Sequence, residues 1–354
     1  MELTTGVRRA ARGLVLAGLL LGPLAVAEGI TLGSFDQLAS FITHPRFWGD
    51  TKSLIFETQA SPKVLTLGSS MSDRIFREST IEGRRLDEPV DSLFNFALYG
   101  SRTSTSYMIW RHVQSLNRTP EYLLVEVNPL QLNALRGSFH EASFLDLATL
   151  LKMPKGFTEE FGRDVKELAE ITTWDRLVLH RRRAEALRAV LVWFGINDSI
   201  ERSRPLDSDG ALSTLQTREL TPDAYREERL RRRALYDEGS VDFQFSQVLV
   251  ESVETLIREA KDAGCRVILH VPPTTKIYRD VLAEFDVMDD WCALAERWSN
   301  DPEIEFYDEF DSPFTPPTGF SDHIHLNIMG AKGYVKRLFR AIRTKQYREP
   351  SGCE

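Results

Sequence analysis

Five short apolar runs constrain how this chain can fold: Lys63–Leu67, Ser92–Phe96, Tyr122–Val127, Arg266–Val271 and Ile304–Tyr307. Several are near-continuous in hydrophobicity rather than alternating, the pattern of strands covered on both faces. Between them, apolar residues recur at helical spacing, as in Ile109, Val113 and Leu116, and again in Leu249, Val253, Leu256 and Ala260. Gly264 supplies a helix stop just before the fourth run, and "GAKGYVKRLFRAI" reads as a closing helix. Strands alternating with helices predict an α/β fold built on a mainly parallel five-stranded sheet.

One connection is much longer than a crossover needs. From Asn133 to about Glu238 the chain is charged and mostly helix-patterned, where a few dozen residues would join two parallel strands. A helical insertion is expected there. It would serve as a lid or substrate platform over the carboxyl ends of the strands, where open sheets bind ligands, or would pack on a helical layer or support an oligomer.

At the N-terminus, Arg8, Arg9 and Arg12 precede an uncharged run from Gly13 to Ala27 that ends in Ala25-Val26-Ala27. This is the anatomy of an export signal. The run is shorter than the ~20 residues of a spanning helix. Residues 1–27 are therefore expected to be a signal peptide or an N-terminal membrane anchor, with 28–354 forming one domain outside the cytoplasm, periplasmic or at the cell surface. A net charge of −8 argues against a nucleic-acid partner. The three cysteines, Cys265, Cys292 and Cys353, form no disulfide framework and fit no zinc spacing, and their odd number leaves at least one thiol free or intermolecular. Cys265 opens an apolar strand and reads as a core residue.

The stretch "KVLTLGSSMSDRIF" runs the first strand into Gly68-Ser69-Ser70 and then into a helix start. A serine at that junction presents its hydroxyl at the sheet edge, and its own N–H can face a developing oxyanion. Ser70 meets the placement, with Ser69 as the spare candidate; Gly-Ser-Ser is also ordinary turn chemistry. Near the other end, "TGFSDHIHLNIMGAKGYVKRL" places Asp322 three residues before His325. One short turn can then hold a carboxylate that orients the imidazole. Asp322, His323 and His325 are also metal-ligand types, but no further cluster completes a coordination sphere, and no metal or cofactor is expected.

With these two ends in place, the chain resembles the SGNH, or GDSL, hydrolase superfamily of esterases, lipases and acyltransferases. Gly68-Ser69-Ser70 matches its first block and Asp322-His323-Ile324-His325 its last, and "HLNIMGAKGY" is similar to an H-L-x-x-x-G continuation. Ser69 stands where the first block usually has Asp. The resemblance is strongest to exported or membrane-anchored members that act in acylation of cell-envelope polymers. It implies a three-layer flavodoxin-like fold, a nucleophilic Ser70 with His325 and Asp322, and oxyanion donors from Ser70, a glycine and an asparagine.

Gly100, in "NFALYGSRTS", resembles that glycine. For the asparagine, the literal motif Gly195-Ile196-Asn197-Asp198 lies inside the long insertion, after residues with helical spacing. Asn128 instead ends the strand that follows Gly100 and is preferred, although Pro129 replaces the usual Asp. Asp73 and Arg102, just after the first two strands, are further substrate-binding candidates, and His270 reads as a sheet histidine. The expected function is an extracytoplasmic serine acyltransferase or esterase acting on O-acyl groups of a cell-envelope glycan or similar hydroxyl. Its implied partners are an acylated glycan or acyl donor and a membrane acyltransferase. The alternative is a non-catalytic envelope protein of the same fold that binds glycan or such a partner.

Overall fold

The computed structural model describes residues 48–58, 60–77, 92–134, 149, 151–157, 161, 243–347 and 353. All five apolar runs form strands: β1 (Val64–Leu67), β2 (Leu93–Asn95), β3 (Tyr122–Glu126), β4 (Arg266–Val271) and β5 (Glu305–Asp308). They make one sheet in the order β2-β1-β3-β4-β5, with every pairing parallel. The helices are α1 (Trp48–Thr58), α2 (Ser70–Ile75), α3 (Thr103–Ser115), α4 (Gln247–Asp262), α5 (Lys276–Glu284), α6 (Val287–Asn300) and α7 (Ile328–Thr344).

Alternate strand residues supply two cores, because successive side chains leave a strand on opposite faces. On one face Leu65, Leu67, Leu123, Val125 and Leu269 pack with Trp110 of α3, Leu256 of α4 and Trp291 of α6. On the other, Val64, Tyr122, Leu124 and Ile268 pack with Ile75 of α2 and with Tyr334, Leu338 and Ile342 of α7. Each fully buried side chain of this kind contributes roughly 1.5–3 kcal/mol. Local signals set where the helices start: Ser246 Oγ accepts from Leu249 N–H at 3.1 Å, and Asn327 Oδ1 accepts from Met329 and Gly330 N–H at 3.0 Å each. Gly264, at φ +90°, follows the end of α4, as its position in the sequence predicts.

The strand order reverses between β1 and β3, so ligands of such sheets fall in the crevice outside the carboxyl ends of these two strands. The long connection leaves from the same edge. Asn133 bridges Phe245, Ala134 N–H donates to Gln244 O at 2.8 Å, and Ser246 N–H donates to Leu132 O at 2.9 Å. Its two ends are therefore pinned side by side. Of the segment between them, Met153, Phe157 and Phe161 join the core beside α3. The rest of the expected insertion, including Gly195-Ile196-Asn197-Asp198, lies outside the described residues, as does the export segment. Among the described residues no helix is long and apolar enough to cross a membrane.

Cys292 of α6 and Cys353 form a disulfide across 61 residues. Cys265 is the free thiol, buried at the start of β4, and burial pushes it up to about 11.

Candidate active site

Ser70 is placed by a sharp turn at the carboxyl end of β1. Gly68 is required there by space: a Cβ would sit 2.5 Å from Glu126 Cβ and 2.8 Å from Ser72 Oγ. Ser69 is the N-cap of α2, its Oγ accepting from Met71 N–H at 3.2 Å. Ser70 is the first helical residue, so its own N–H is one of the donors that a helix start leaves without an intrahelical acceptor. At its end Asn95 of β2 donates from Nδ2 to Asp73 O at 3.1 Å and to O of the capping Phe76 at 2.9 Å.

His325 and Asp322 reach Ser70 on a tied loop. Ser321 N–H donates to His325 O at 2.8 Å, Phe320 bridges Leu326, and Asn327 Nδ2 donates to Thr318 O at 2.7 Å. The start of α7 packs so closely on this loop that a Cβ on Gly330 would meet Gly319 O at 2.1 Å. Within the loop, Asp322 Oδ1 accepts from the N–H groups of Ile324 at 3.0 Å and His325 at 2.8 Å. Asp322 Oδ2 lies 2.7 Å from His325 Nδ1, and His325 Nε2 lies 2.7 Å from Ser70 Oγ. A carboxylate can only accept, so Nδ1 carries the proton and Nε2 offers its lone pair to the serine hydroxyl.

The charges around the loop suit that arrangement. Burial alone would raise the Asp322 carboxyl, but the hydrogen bond and charge of His325 and the two backbone N–H groups hold it well below the usual carboxylate range. Burial lowers His325 against the pull of Asp322, and the Arg74 guanidinium lowers it further. At neutral pH the imidazole is therefore neutral and the carboxylate ionised. Arg74, one turn beyond Ser70, lies 3.4 Å from Asp322 Oδ2 and 3.3 Å from Ser321 Oγ, and its Nε donates to Tyr99 OH at 3.3 Å. These groups can take a proton from Ser70 and stabilise the resulting imidazolium.

Gly100 sits in the turn after β2 at φ +72°. That turn is fastened to the end of β1 through Gly68 O, which accepts from Leu98 N–H at 2.8 Å and Ser101 Oγ at 2.7 Å. Asn128 departs from expectation. Its amide nitrogen does not point free toward Ser70 but donates to Glu126 Oε1 at 2.6 Å and Gln131 Oε1 at 3.2 Å, while its oxygen accepts from Gln131 N–H. The reason is Glu126, a fully buried carboxylate two residues back that needs donors to stay charged out of water and also accepts from Ser69 and Ser72 N–H.

Two further candidates are drawn into the interior. Asp73, read as substrate-facing, is 1% exposed and lies 2.7 Å from Nζ of the equally buried Lys52 of α1. Arg102 is also buried, its guanidinium 4.1 Å over the Phe161 ring. His270 is the buried sheet histidine expected, with Nδ1 3.0 Å from Tyr334 OH and burial lowering it to about 3. His323 turns its ring toward Tyr278, 6.4 Å away, and among the described residues no group of three or more His, Cys, Asp or Glu is arranged to hold a metal ion.

Sequence reading missed Glu126, Lys52 and Arg74. Glu126 did leave a signal, as the single charge inside the apolar run "YLLVEV". A scan against protein-family models and a search of curated proteins both return no match for this chain.

Proposed function

We propose that this protein is an SGNH-type serine enzyme of the cell envelope, on a flavodoxin-like fold with a helical insertion, that moves an acyl group onto or off a glycan or related hydroxyl. The observation that carries the reading is the continuous hydrogen-bond chain from Ser70 Oγ through His325 to Asp322, at the carboxyl edge of a parallel sheet. In this reading Ser70 Oγ attacks the acyl carbonyl carbon and its proton passes to His325 Nε2. The carbonyl π electrons move onto oxygen, which the N–H groups of Ser70 and Gly100 receive, each donor worth roughly 3 kcal/mol. Collapse expels the donor alkoxide, protonated by His325, and leaves an acyl-serine. His325 then deprotonates the acceptor hydroxyl, which attacks the acyl-serine and regenerates Ser70. Water as acceptor gives hydrolysis and a sugar hydroxyl gives transfer; we favour transfer.

Asn128 stays bonded to Glu126 in this scheme and gives no direct hydrogen bond to the oxyanion. The Cys292–Cys353 disulfide supports placement outside the cytoplasm, where such bonds persist, in keeping with residues 1–27 as signal peptide or anchor. The inward turn of the Asn128 amide is also what favours the second reading, a non-catalytic glycan- or acyltransferase-binding protein of the same fold.

A fluorophosphonate probe separates the two. Ser70 Oγ would displace fluoride from phosphorus, with its proton taken by His325, and leave a phosphonyl adduct that mass spectrometry maps to a peptide. The enzyme reading expects an adduct on Ser70 that is lost in Ser70→Ala. Wild-type protein that stays unlabelled where a serine esterase reacts would support the binding protein instead.

A further inference from the structure

Glu126 has no part in the proton transfers above, yet it is 0% exposed and sits directly beneath the nucleophile turn. Its Oε2 accepts from the N–H groups of Ser69 at 3.0 Å and Ser72 at 2.8 Å. Its Oε1 accepts from Ser69 Oγ at 2.5 Å and Asn128 Nδ2 at 2.6 Å. Four donors from two segments thus converge on one carboxylate carried by β3, and three of them belong to Ser69 and Ser72, on either side of Ser70 in sequence. A carboxylate removed from water is tolerated only when so satisfied, and hydrogen bonds to it are roughly twice as strong as neutral ones.

The sequence departures fit together at this point. Ser69 stands where the resembled family has Asp in its first block. With Asn128 aligned to the asparagine of Gly-x-Asn-Asp, Glu126 stands where that block has Gly. The two departures meet in one hydrogen bond, since Ser69 and Glu126 are bonded to each other. Gly68 completes the arrangement, since any Cβ there would overlap Glu126.

We infer that Glu126 is the positioning residue of the nucleophile: by clamping the backbone of Ser69 and Ser72 it fixes the start of α2 so that Ser70 Oγ is aimed at His325 Nε2, and it holds Asn128 as part of the same clamp. The inference rests on the proposed serine chemistry for its consequence in rate, but not for its geometry. His325 faces Asp322 on its own loop, Arg74 on α2 and Glu126 on β3; of these, Asp322 and Glu126 favour the imidazolium and Arg74 opposes it.

The test compares wild type with Glu126→Gln and Ser69→Ala, each first shown to be folded by circular dichroism. His325 is followed by NMR of its imidazole nitrogens across pH, and the rate of fluorophosphonate labelling is measured in parallel. Glutamine keeps the shape but turns an NH2 toward donors, so the clamp loosens. Displacing a reacting group by about 1 Å can cost around 100-fold; Glu126→Gln is expected to label roughly 10- to 100-fold more slowly. Its His325 titration should move to lower pH, because a negative charge that favours the imidazolium is gone. Ser69→Ala, which removes one bond and keeps the charge, should slow labelling several-fold and leave the titration in place. A merely structural Glu126 would lower the melting temperature and shift the His325 titration through its lost charge while leaving the labelling rate as in wild type, and that result overturns the inference. If the wild type itself fails to label, the enzyme reading falls, and the Nε2 chemical shift of neutral His325, which reports its hydrogen bond to Ser70 Oγ, still decides between wild type and Glu126→Gln whether Glu126 governs that contact: an unchanged shift overturns the inference.

Discussion

Two carboxylates flank Ser70, and they are built for different work. Asp322 is 28% exposed, lies on a loop and gives one oxygen to an ionisable partner, His325. Glu126 is fully buried at the end of a strand, and both its oxygens go to backbone N–H, hydroxyl and amide donors that carry no charge. The first can respond when its partner gains a proton; the second has nothing to exchange and only holds. Donor chemistry, more than the carboxylate itself, separates a reacting group from a scaffold.

The sharpest way to break this comparison is Asp322→Asn. The side chain keeps Oδ1 for the N–H groups of Ile324 and His325, so the fold should hold. The imidazole loses the acceptor that fixes its tautomer, and acylation of Ser70 should fall about 10⁴-fold. A probe-labelling rate within tenfold of wild type would remove Asp322 from the mechanism.

Each side of the site also leans on a glycine. Gly330→Ala would push α7 off the His325 loop, and Gly68→Ala would drive β1 off Glu126. Overpacking of this kind costs about 1–3 kcal/mol. Both variants should show a lower denaturation midpoint in urea, with slowed labelling in each.

The pH response sharpens the contrast further. His325 is held below its ordinary value, so labelling should persist under pH 6.5 and decline only as pH falls through the depressed value. His270 and His325 both bind protons more readily in the unfolded chain. Stability is therefore fully present above pH 6.5 and lost as pH falls, for His270 down to about 3, at up to about 1.4 kcal/mol per pH unit for each group. Below about 3.8 Asp322 adds to the loss, since its folded carboxyl is the harder to protonate. Urea midpoints measured from pH 7 to 4 should fall in wild type and less steeply in His270→Asn.

The smallest effect separates scaffold from donor most finely. A direct oxyanion donor costs about 10²–10³ in rate when removed. Because the Asn128 amide is turned to Glu126, Asn128→Ala should slow labelling by less than about tenfold, whereas a loss of 10² or more would place Asn128 in the oxyanion hole after all.

Much of this was legible in the chain itself. The five strands, the helix start that follows Gly68-Ser69-Ser70 and the Asp322-x-x-His325 turn each depend on a few neighbouring residues, and periodicity and turn chemistry encode such features locally. Partner choice is different. Ser70 meets His325 across 255 positions, Ser69 meets Glu126 across 57, and Lys52 meets Asp73 across 21. Cys292 took Cys353 and left Cys265 free. The sequence alone determined which groups could react and which elements would carry them. Only the tertiary structure decided which polar groups were buried together, because a charge withdrawn from water takes whichever donor the packing brings within about 3 Å. That is why Asp73 took Lys52 and why the Asn128 amide turned to Glu126 beneath the Ser70 turn.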